Sequence, residues 1–143
     1  MIVVPFKTYH LDLMIAQGVQ GAQLHQVSHV PGGYASLAPI PGTALTASVD
    51  DQILLCGGIM PTGPKMGMLW AVLSAKAPSH LLALHRGVRR FLEVNPPRRL
   101  EATVEKGFYP GCRWLHLLGF RYEGESPCYG LNGETHLRFA RIF

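Results

Sequence analysis

The stretch that decides the fold is RWLHLLGFRYEG, which spans residues 113–124. Its first half belongs to a short helix, predicted over residues 111–118. Gly119 is expected to end this helix, because glycine readily adopts the left-handed conformation that commonly follows a helical C-terminus. A strand is predicted to begin at once, over Phe120–Glu123. The stretch therefore predicts a helix that leads directly into a strand.

The clearest helix of the chain lies upstream, from Ser79 to about Val94. Its apolar residues recur at helical spacing and form one stripe. They are Leu81, Leu84, His85, Val88, Phe91 and Leu92. Ser79 is a suitable N-cap, and Asn95-Pro96-Pro97 ends the helix because proline cannot continue it. An alternating strand, Leu100–Val104, is predicted to follow.

Three strands in quick succession are predicted before this helix. They are Leu45–Val49, Gln52–Met60 and Met66–Ser74. Asp50-Asp51 is typical of a tight turn, and a second turn is predicted over Pro61–Pro64. Gly57-Gly58 within a strand indicates either a bulge or a close approach of another backbone segment. The third strand is almost entirely apolar, as expected for a central strand covered on both faces.

The two ends of the chain complete the order of elements. The predictions are a strand over 2–6, a helix over about 11–24, an irregular Pro/Gly-rich excursion over 30–43, and strands over 128–131 and 137–143. Asn132-Gly133 is predicted to be the hairpin turn between the last two strands. Together these elements predict an α/β (α+β) fold with a mixed, mostly antiparallel central sheet flanked by helices.

Length and composition restrict the class of protein. A chain of 143 residues fits one domain, so residues 1–143 are predicted to form a single domain. Hydrophobic residues make up 48% and charged residues 15%, which indicates a packed globular protein. The N-terminus has no basic leader, and no apolar stretch reaches the roughly 18 residues that span a bilayer. We therefore expect a soluble, cytoplasmic protein with no membrane partner.

The cysteines and histidines do not indicate a metal site. The three cysteines have unrelated spacings, and the seven histidines show no HExxH pattern. We expect neither a metal nor a disulfide framework, and a reducing compartment is the simpler interpretation.

Basic residues cluster in and after the long helix, although the formal net charge is only +4. The cluster consists of Arg86, Arg89, Arg90, Arg98 and Arg99. It is either a solvated helix face or a surface that attracts an anion, such as a nucleotide cofactor, a nucleic acid or an acidic protein. Aromatic residues do not interleave with these arginines, so a nucleic-acid partner is not expected.

Residues 113–124 resemble the C-terminal element of the GNAT (GCN5-related N-acetyltransferase) superfamily, in which a short helix runs into Leu-Gly-Phe and then a strand. The Leu100–Val104 strand precedes that helix at a similar distance. The ending, with Asn132-Gly133-Glu134 and Phe139-Ala140-Arg141, resembles the closing hairpin of the family. The resemblance covers most of the chain, from about residue 45 onward, and implies the GNAT fold.

A narrower resemblance lies within the superfamily. Gly57-Gly58, the strand Leu69–Ser74, the basic helix and Arg113-Trp114-Leu115 form a pattern similar to that of small GNAT-like proteins of tailed bacteriophages. Some of those proteins are internal virion or assembly proteins. The resemblance thus implies either the host cytoplasm or a virion as the location of this chain.

The resemblance also implies acetyl-CoA as the cofactor, bound in a V-shaped opening between the fourth and fifth strands. Its pantetheine arm would run along Val72, Leu73 and Ser74. Its pyrophosphate would meet the N-terminus of the next helix, where free N–H groups and the helix dipole attract an anion. Side-chain contacts there would come from Lys76, Ser79 and His80.

Two features of the family pattern differ in this chain. The family loop is Gln/Arg-x-x-Gly-x-Gly/Ala, whereas residues 74–80 contain no glycine, and Pro78 removes one N–H donor. The family tyrosine that protonates the leaving thiolate corresponds to Leu115, and the upstream asparagine corresponds to Phe108. Tyr109 and His116 are the candidate replacements.

Glu105 is the candidate general base for the acceptor amine, and Tyr109 and His116 complete the predicted catalytic set. Each residue has an alternative interpretation: Glu105 as a charge at a strand end, Tyr109 as a cover for the end of the sheet, and His116 as a surface residue.

Two functions remain open from the sequence. The first is an N-acyltransferase, with partners acetyl-CoA and an amine on a small molecule or a protein. The second is a non-enzymatic protein, virion-associated or otherwise, that uses the GNAT fold as a scaffold to bind protein partners. Binding of phosphates by residues 74–80 would distinguish the two.

Overall fold

The structure is a computed structural model of the chain, and it describes residues 1–17, 42–130 and 132–143. The strands are β1 (Ile2–Pro5), β2 (Ala44–Val49), β3 (Gln52–Gly63), β4 (Met66–Leu73), β5 (Arg99–Glu105), β6 (Arg121–Ser126) and β7 (His136–Ile142). The α-helices are α1 (Thr8–Gln17), α2 (Leu81–Glu93) and α3 (Tyr109–Leu117), and a 3-10 turn (Ala77–His80) precedes α2.

The seven described strands form one sheet in the order β1-β2-β3-β4-β5-β7-β6. β4 and β5 run parallel, as a crossover through a helix requires. The pairs β1–β2, β2–β3, β5–β7 and β6–β7 are antiparallel. The predicted fold class, a mixed and mostly antiparallel sheet with helices, is therefore confirmed.

The chain divides into two compact units. The first unit comprises Met1–Met60 and Leu69–Phe91, and the second comprises Pro61–Met68 and Leu92–Phe143. The assignment of residues 1–143 to one domain stays a prediction. Within the described ranges, no helix is long and apolar enough to cross a bilayer.

The β2–β3 hairpin of the first unit forms as predicted. Asp50 and Asp51 both have positive φ, at 48° and 59°, which is the conformation of a two-residue type I′ turn. The β-bulge lies beside Ala47 and Ser48 and not at the two glycines. Gly57 and Gly58 instead satisfy the alternative prediction, because neighbouring backbone approaches both of them closely.

The core of the first unit forms where α1 packs on the sheet. Leu11 and Met14 of α1 are fully buried together with Val72 of β4. Phe6 and Trp70 meet edge to face, with ring centroids 5.2 Å apart. This packing explains why α1 is a helix despite its weak apolar face.

Several predicted boundaries in this part of the chain were wrong. The predicted turn over Pro61–Pro64 is strand up to Gly63, and the turn is Pro64-Lys65. The pairing of β2 with β3 ends at Gly58. Pro61 lies beyond it, so the N–H that proline lacks is not needed for a hydrogen bond between these two strands.

The long helix begins later than predicted, at Leu81, and ends at Glu93. Ser79 is not its N-cap, because its hydroxyl donates to the carbonyl of Lys76 at 2.8 Å. Leu81 is 41% exposed, whereas Leu84 and Leu92 are buried, so the apolar stripe starts one turn inside the helix.

The first helix spans Thr8–Gln17, starting earlier than the predicted range of 11–24. The remainder of that range lies outside the described residues. The same is true of the predicted irregular excursion over 30–43, except for its last two residues.

The second unit confirms the interpretation of residues 113–124. The N–H of Gly119 donates to the carbonyl of His116, and that of Phe120 donates to the carbonyl of Leu115, both at 3.0 Å. Gly119 has φ of +89°, and Leu115 and Phe120 are both buried. These are the two bonds of the Schellman motif, which ends α3 immediately before β6.

The closing strands differ from the prediction. The strand predicted over 120–123 forms as β6 and extends to Ser126, whereas Cys128 of the strand predicted over 128–131 lies in a loop with φ of 53°. Asn132-Gly133 lies in this loop, where the N–H of Gly133 donates to the carbonyl of Gly130 at 3.0 Å. The backbone N–H groups of Tyr129 and Gly130 both donate to the carbonyl of Glu134, so the loop folds back upon itself.

Candidate functional site

The predicted cofactor-binding residues are consecutive with the end of β4 in the first unit. Burial alternates along the strand: Val72 and Ser74 are buried, whereas Leu73 is partly exposed. The N–H of Ser74 donates to the carbonyl of Leu54 on β3 at 2.9 Å. The end of β4 is therefore hydrogen-bonded to β3 at Ser74.

The loop after β4 is ordered by serines and not by glycines. The side-chain oxygen of Ser74 accepts the N–H of Lys76 at 3.3 Å, and its carbonyl accepts the N–H of Ala77 at 3.1 Å. The hydroxyl of Ser79 donates to the carbonyl of Lys76 at 2.8 Å. Ala77 is fully buried, which fixes the start of the 3-10 turn. Residues 74–80 therefore form a tight turn that leads into α2.

Lys76 provides a cation at this turn. Its ammonium donates to the side-chain oxygen of Gln52 at 3.2 Å, and this contact is exposed to solvent. The lysine is the N-cap of the 3-10 turn, but no side chain caps that turn. A lysine ammonium beside the start of a helix is a donor that suits a phosphate.

The predicted catalytic residues lie in the second unit. Glu105 is the last residue of β5, is partly exposed and lies opposite His136 of β7. Tyr109 is the first residue of α3 and is 74% exposed. His116 lies in the last turn of α3, with its ring edge-on to Phe139 at 5.5 Å between centroids.

The structure separates Tyr109 from His116. The two residues lie at opposite ends of α3, about 10 Å apart along the helix axis at 1.5 Å per residue. The packing of His116 against Phe139 also ties it to the apolar face of β7, where Tyr122 packs on the same ring at 5.7 Å. The catalytic roles of Tyr109 and His116 stay predictions.

His136 is a candidate that the sequence analysis missed. It is only 2% exposed, and its Nδ1 has no hydrogen-bond partner in the part of the chain that the structure describes. Burial lowers the pKa of His136, and the carboxylates of Glu105 and Glu134 oppose that effect. The predicted last strand begins at residue 137, just after this histidine. Extending the apolar alternation by one residue would have placed it in the strand.

A second buried polar group lies in the first unit. Nδ1 of His10 accepts the N–H of Lys7 at 3.0 Å and lies 2.8 Å from the hydroxyl of Thr46. That hydroxyl lies 3.6 Å from the sulfur of Cys56. Burial raises the pKa of Cys56 to about 11, which keeps the thiol protonated. This network joins α1 to the sheet and does not form a reactive nucleophile.

Some arginines of the basic cluster predicted from the sequence form hydrogen bonds and ion pairs within the chain. Arg98 donates to the carbonyl of Phe143, and Arg99 forms ion pairs with Glu101 and Glu123. Arg86 is exposed on α2. No group of three metal-ligating side chains occurs among residues 1–17, 42–130 and 132–143.

Comparisons with known proteins give a match in structure alone. No family model matches the chain, and no curated protein matches its sequence. The chain is similar to the ribosomal-protein-alanine N-acetyltransferase of Brucella melitensis, with 14% identity, a TM-score of 0.63 and 100% of each chain covered. It is also similar to a GNAT-family acetyltransferase of Streptococcus pneumoniae, with 12% identity, a TM-score of 0.65 and 99% of each chain covered.

A third similar structure is an acetyltransferase of Bacillus subtilis in complex with CoA. It has 8% identity and a TM-score of 0.62, and the match covers 99% of this chain and 97% of the other. At such identities the comparisons show the fold alone. The fold of the described residues is similar to that of the GNAT acetyltransferases.

Proposed function

We propose that the protein is an N-acyltransferase that transfers an acetyl group from acetyl-CoA to an amine. The observation that carries this proposal is the match of the whole chain to acetyltransferases of similar length, one of them solved with CoA. Fold alone does not specify chemistry, so the proposal also rests on the residues at the turn after β4.

These residues suit the cofactor. Val72, Leu73 and Ser74 would hold the pantetheine arm, and Lys76, Ser79 and His80 would contact the pyrophosphate. The turn is ordered by the two serines, so the absence of glycine does not leave it without a defined shape. Bound acetyl-CoA supplies an activated thioester, and holding an amine beside it would provide much of the rate.

Proton transfer is assigned to residues of the second unit. Glu105, partly exposed at the end of β5, accepts the proton of the amine. Tyr109 or His116 protonates the leaving thiolate. Both side chains are exposed to solvent, which leaves them free to meet a reactant.

Calorimetric titration with acetyl-CoA and with free CoA tests the proposal. We expect saturable micromolar binding in the wild type and its loss in Lys76→Glu, because the substitution places a negative charge against the pyrophosphate. The matched control is Lys65→Glu, which makes the same charge change in the exposed Pro64-Lys65 turn. Loss of binding in both variants, or in neither, would contradict the placement of the cofactor at residues 74–80.

The second candidate function is a non-enzymatic scaffold that binds protein partners, including the virion components implied by the phage-type resemblance. One observation favours it: Lys76 and Ser79 already have partners within the chain, on Gln52 and on the loop carbonyl. An absence of both heat and thermal shift at millimolar acetyl-CoA would support this alternative over the enzyme.

A further inference from the structure

The pairing of β5 with β7 brings Glu105 and His136 face to face. The next pair along the ladder is hydrogen-bonded, since the N–H of Lys106 donates to the carbonyl of Thr135 at 2.9 Å. Hydrogen-bonded and non-hydrogen-bonded pairs alternate in an antiparallel ladder. Glu105 and His136 therefore form a non-hydrogen-bonded pair, in which Cα atoms lie about 4.5 Å apart and side chains are closest.

The imidazole of His136 is buried with one of its two ring nitrogens unpaired among the described residues. Nδ1 is inaccessible to solvent and has no hydrogen-bond partner among the described residues. Such an atom costs stability, and its presence in a folded protein calls for an explanation. A neutral imidazole that takes up a proton during a reaction is one such explanation, because protonation adds a charge that adjacent carboxylates stabilise.

The loop between β6 and β7 is built around this histidine. The ring of Tyr129 lies against that of His136, with centroids 5.0 Å apart. The Glu134 carboxylate accepts the N–H of Asn132 at 3.1 Å. A Cβ at Gly130 would lie 1.8 Å from that carboxylate, so a side chain there would displace the Glu134 carboxylate from its present position. The loop thus holds an anion near the imidazole.

Charged and polar groups reach His136 from each strand packed beside it. Glu105 approaches from β5 and Ser126 lies opposite on β6, while Glu134 comes from the loop. Arg138 lies on the same face of β7, two residues along. Two carboxylates thus lie near one buried imidazole, and they partly oppose the lowering of its pKa by burial.

We propose that His136 is a positioning residue that receives, through Glu105, the proton released by the acceptor amine. This inference rests on the proposed function. The amine nitrogen forms its bond to the acetyl carbonyl carbon and loses a proton to the Glu105 carboxylate, while the C–S bond breaks and the thiolate leaves with its electron pair. The proton then passes to the imidazole, which restores the Glu105 carboxylate, and is finally released to solvent.

Nuclear magnetic resonance of histidine-labelled protein tests the coupling without any activity. The His136 signal is assigned as the one missing in His136→Gln. We expect Glu105→Gln to lower the pKa of His136 further, because it removes one of the two carboxylates that favour the imidazolium. The matched control is Glu101→Gln, on the same face of β5 but opposite Ala140, which should leave that pKa unchanged. An unchanged His136 titration in Glu105→Gln would overturn the proposal.

The role in turnover is tested by the pH dependence of acetyl transfer. We expect His136→Gln to lower kcat by about tenfold or more, with little change in KM, and to shift the acidic limb of the kcat/KM profile. The control is His85→Gln, on α2 of the first unit. An unaltered pH profile in a folded His136→Gln protein would overturn the proposal even if the coupling to Glu105 is observed.

The two readouts separate this inference from the proposed function. If the wild type binds no acetyl-CoA and transfers no acetyl group, the proposed function fails and the proton-transfer role fails with it, although the coupling between Glu105 and His136 can persist. If the wild type is active but its His136 titrates independently of Glu105, only the further inference fails.

Discussion

At the scale of single residues, Gly58 determines how closely β2 can approach β3. A Cβ at this position would lie 2.3 Å from the carbonyl oxygen of Thr43 and 2.5 Å from the Cβ of Ala44. The first of these atoms belongs to the backbone and cannot rotate away, so any side chain must push the strands apart.

We therefore expect Gly58→Ala to destabilise the protein by about 1–3 kcal/mol, the usual cost of overpacking a core. The measurement is the free energy of unfolding in urea. Gly63→Ala is the matched control, because a Cβ there would meet only the side chain of Met66, at an ordinary 3.8 Å. Equal stability of the two variants would show that β2 and β3 tolerate a wider spacing.

In the turn after β4, hydrogen bonds from serine side chains take the place of the glycines of the family pattern. The family pattern uses glycines to shape this loop, whereas here Ser74 and Ser79 bond to the backbone of Lys76. Sequence alone reveals that glycine is missing, but the hydrogen bonds that replace it depend on the positions of the side chains. This is why the sequence left the cofactor site open.

At the scale of elements, the connection from α3 to β6 depends on Gly119. Its φ of +89° is a conformation that residues with a Cβ rarely adopt. The motif also joins Phe120 to Leu115 by a backbone hydrogen bond, and the side chains of both residues are buried.

Gly119→Ala should cost about 1 kcal/mol of stability, because alanine is strained in the left-handed conformation. Differential scanning calorimetry would measure the loss as a lower Tm. Ala83→Gly, at an exposed position of α2, offers a comparison in which the helix loses propensity without a change at its end. An unchanged Tm in Gly119→Ala would mean that this turn relaxes to another geometry.

The predictions of elements succeeded where local patterns decide the structure. The alternation of Leu100–Val104 and the Asp50-Asp51 turn need only neighbouring residues, and both were confirmed. The Pro61–Pro64 turn was wrong because β3 continues to Gly63, beyond its last pair with β2 at Gly58. The strand predicted over 128–131 was wrong because the N–H groups of Tyr129 and Gly130 donate to the carbonyl of Glu134, and such bonds between residues further along the chain are not visible in local spacing.

At the scale of the whole molecule, two buried histidines make stability depend on pH. Burial lowers the pKa of both His10 and His136 below 6.5, their usual value. The unfolded chain therefore binds protons more readily than the folded chain as the pH falls through 6.5. By linkage, the free energy of unfolding is highest above that pH and decreases below it.

Urea denaturation at pH 7.5, 6.5 and 5.5 measures this dependence. We expect the midpoint to fall with the pH below 6.5, and to fall less steeply in His136→Gln, which removes one of the two groups. The same slope in the variant and the wild type would show that the pKa of His136 is equal in the folded and unfolded states.

The sequence by itself determined the order of helices and strands, the class of the fold and the resemblance that led to it, because spacing and turn residues act over a few neighbours. It also placed Glu105 at the end of a strand. Only the tertiary structure decided what meets Glu105, since the register of β5 with β7 sets that partner. It likewise decided the burial of His136 and the serine-bonded turn at residues 74–80, because both arise from contacts that no local spacing encodes.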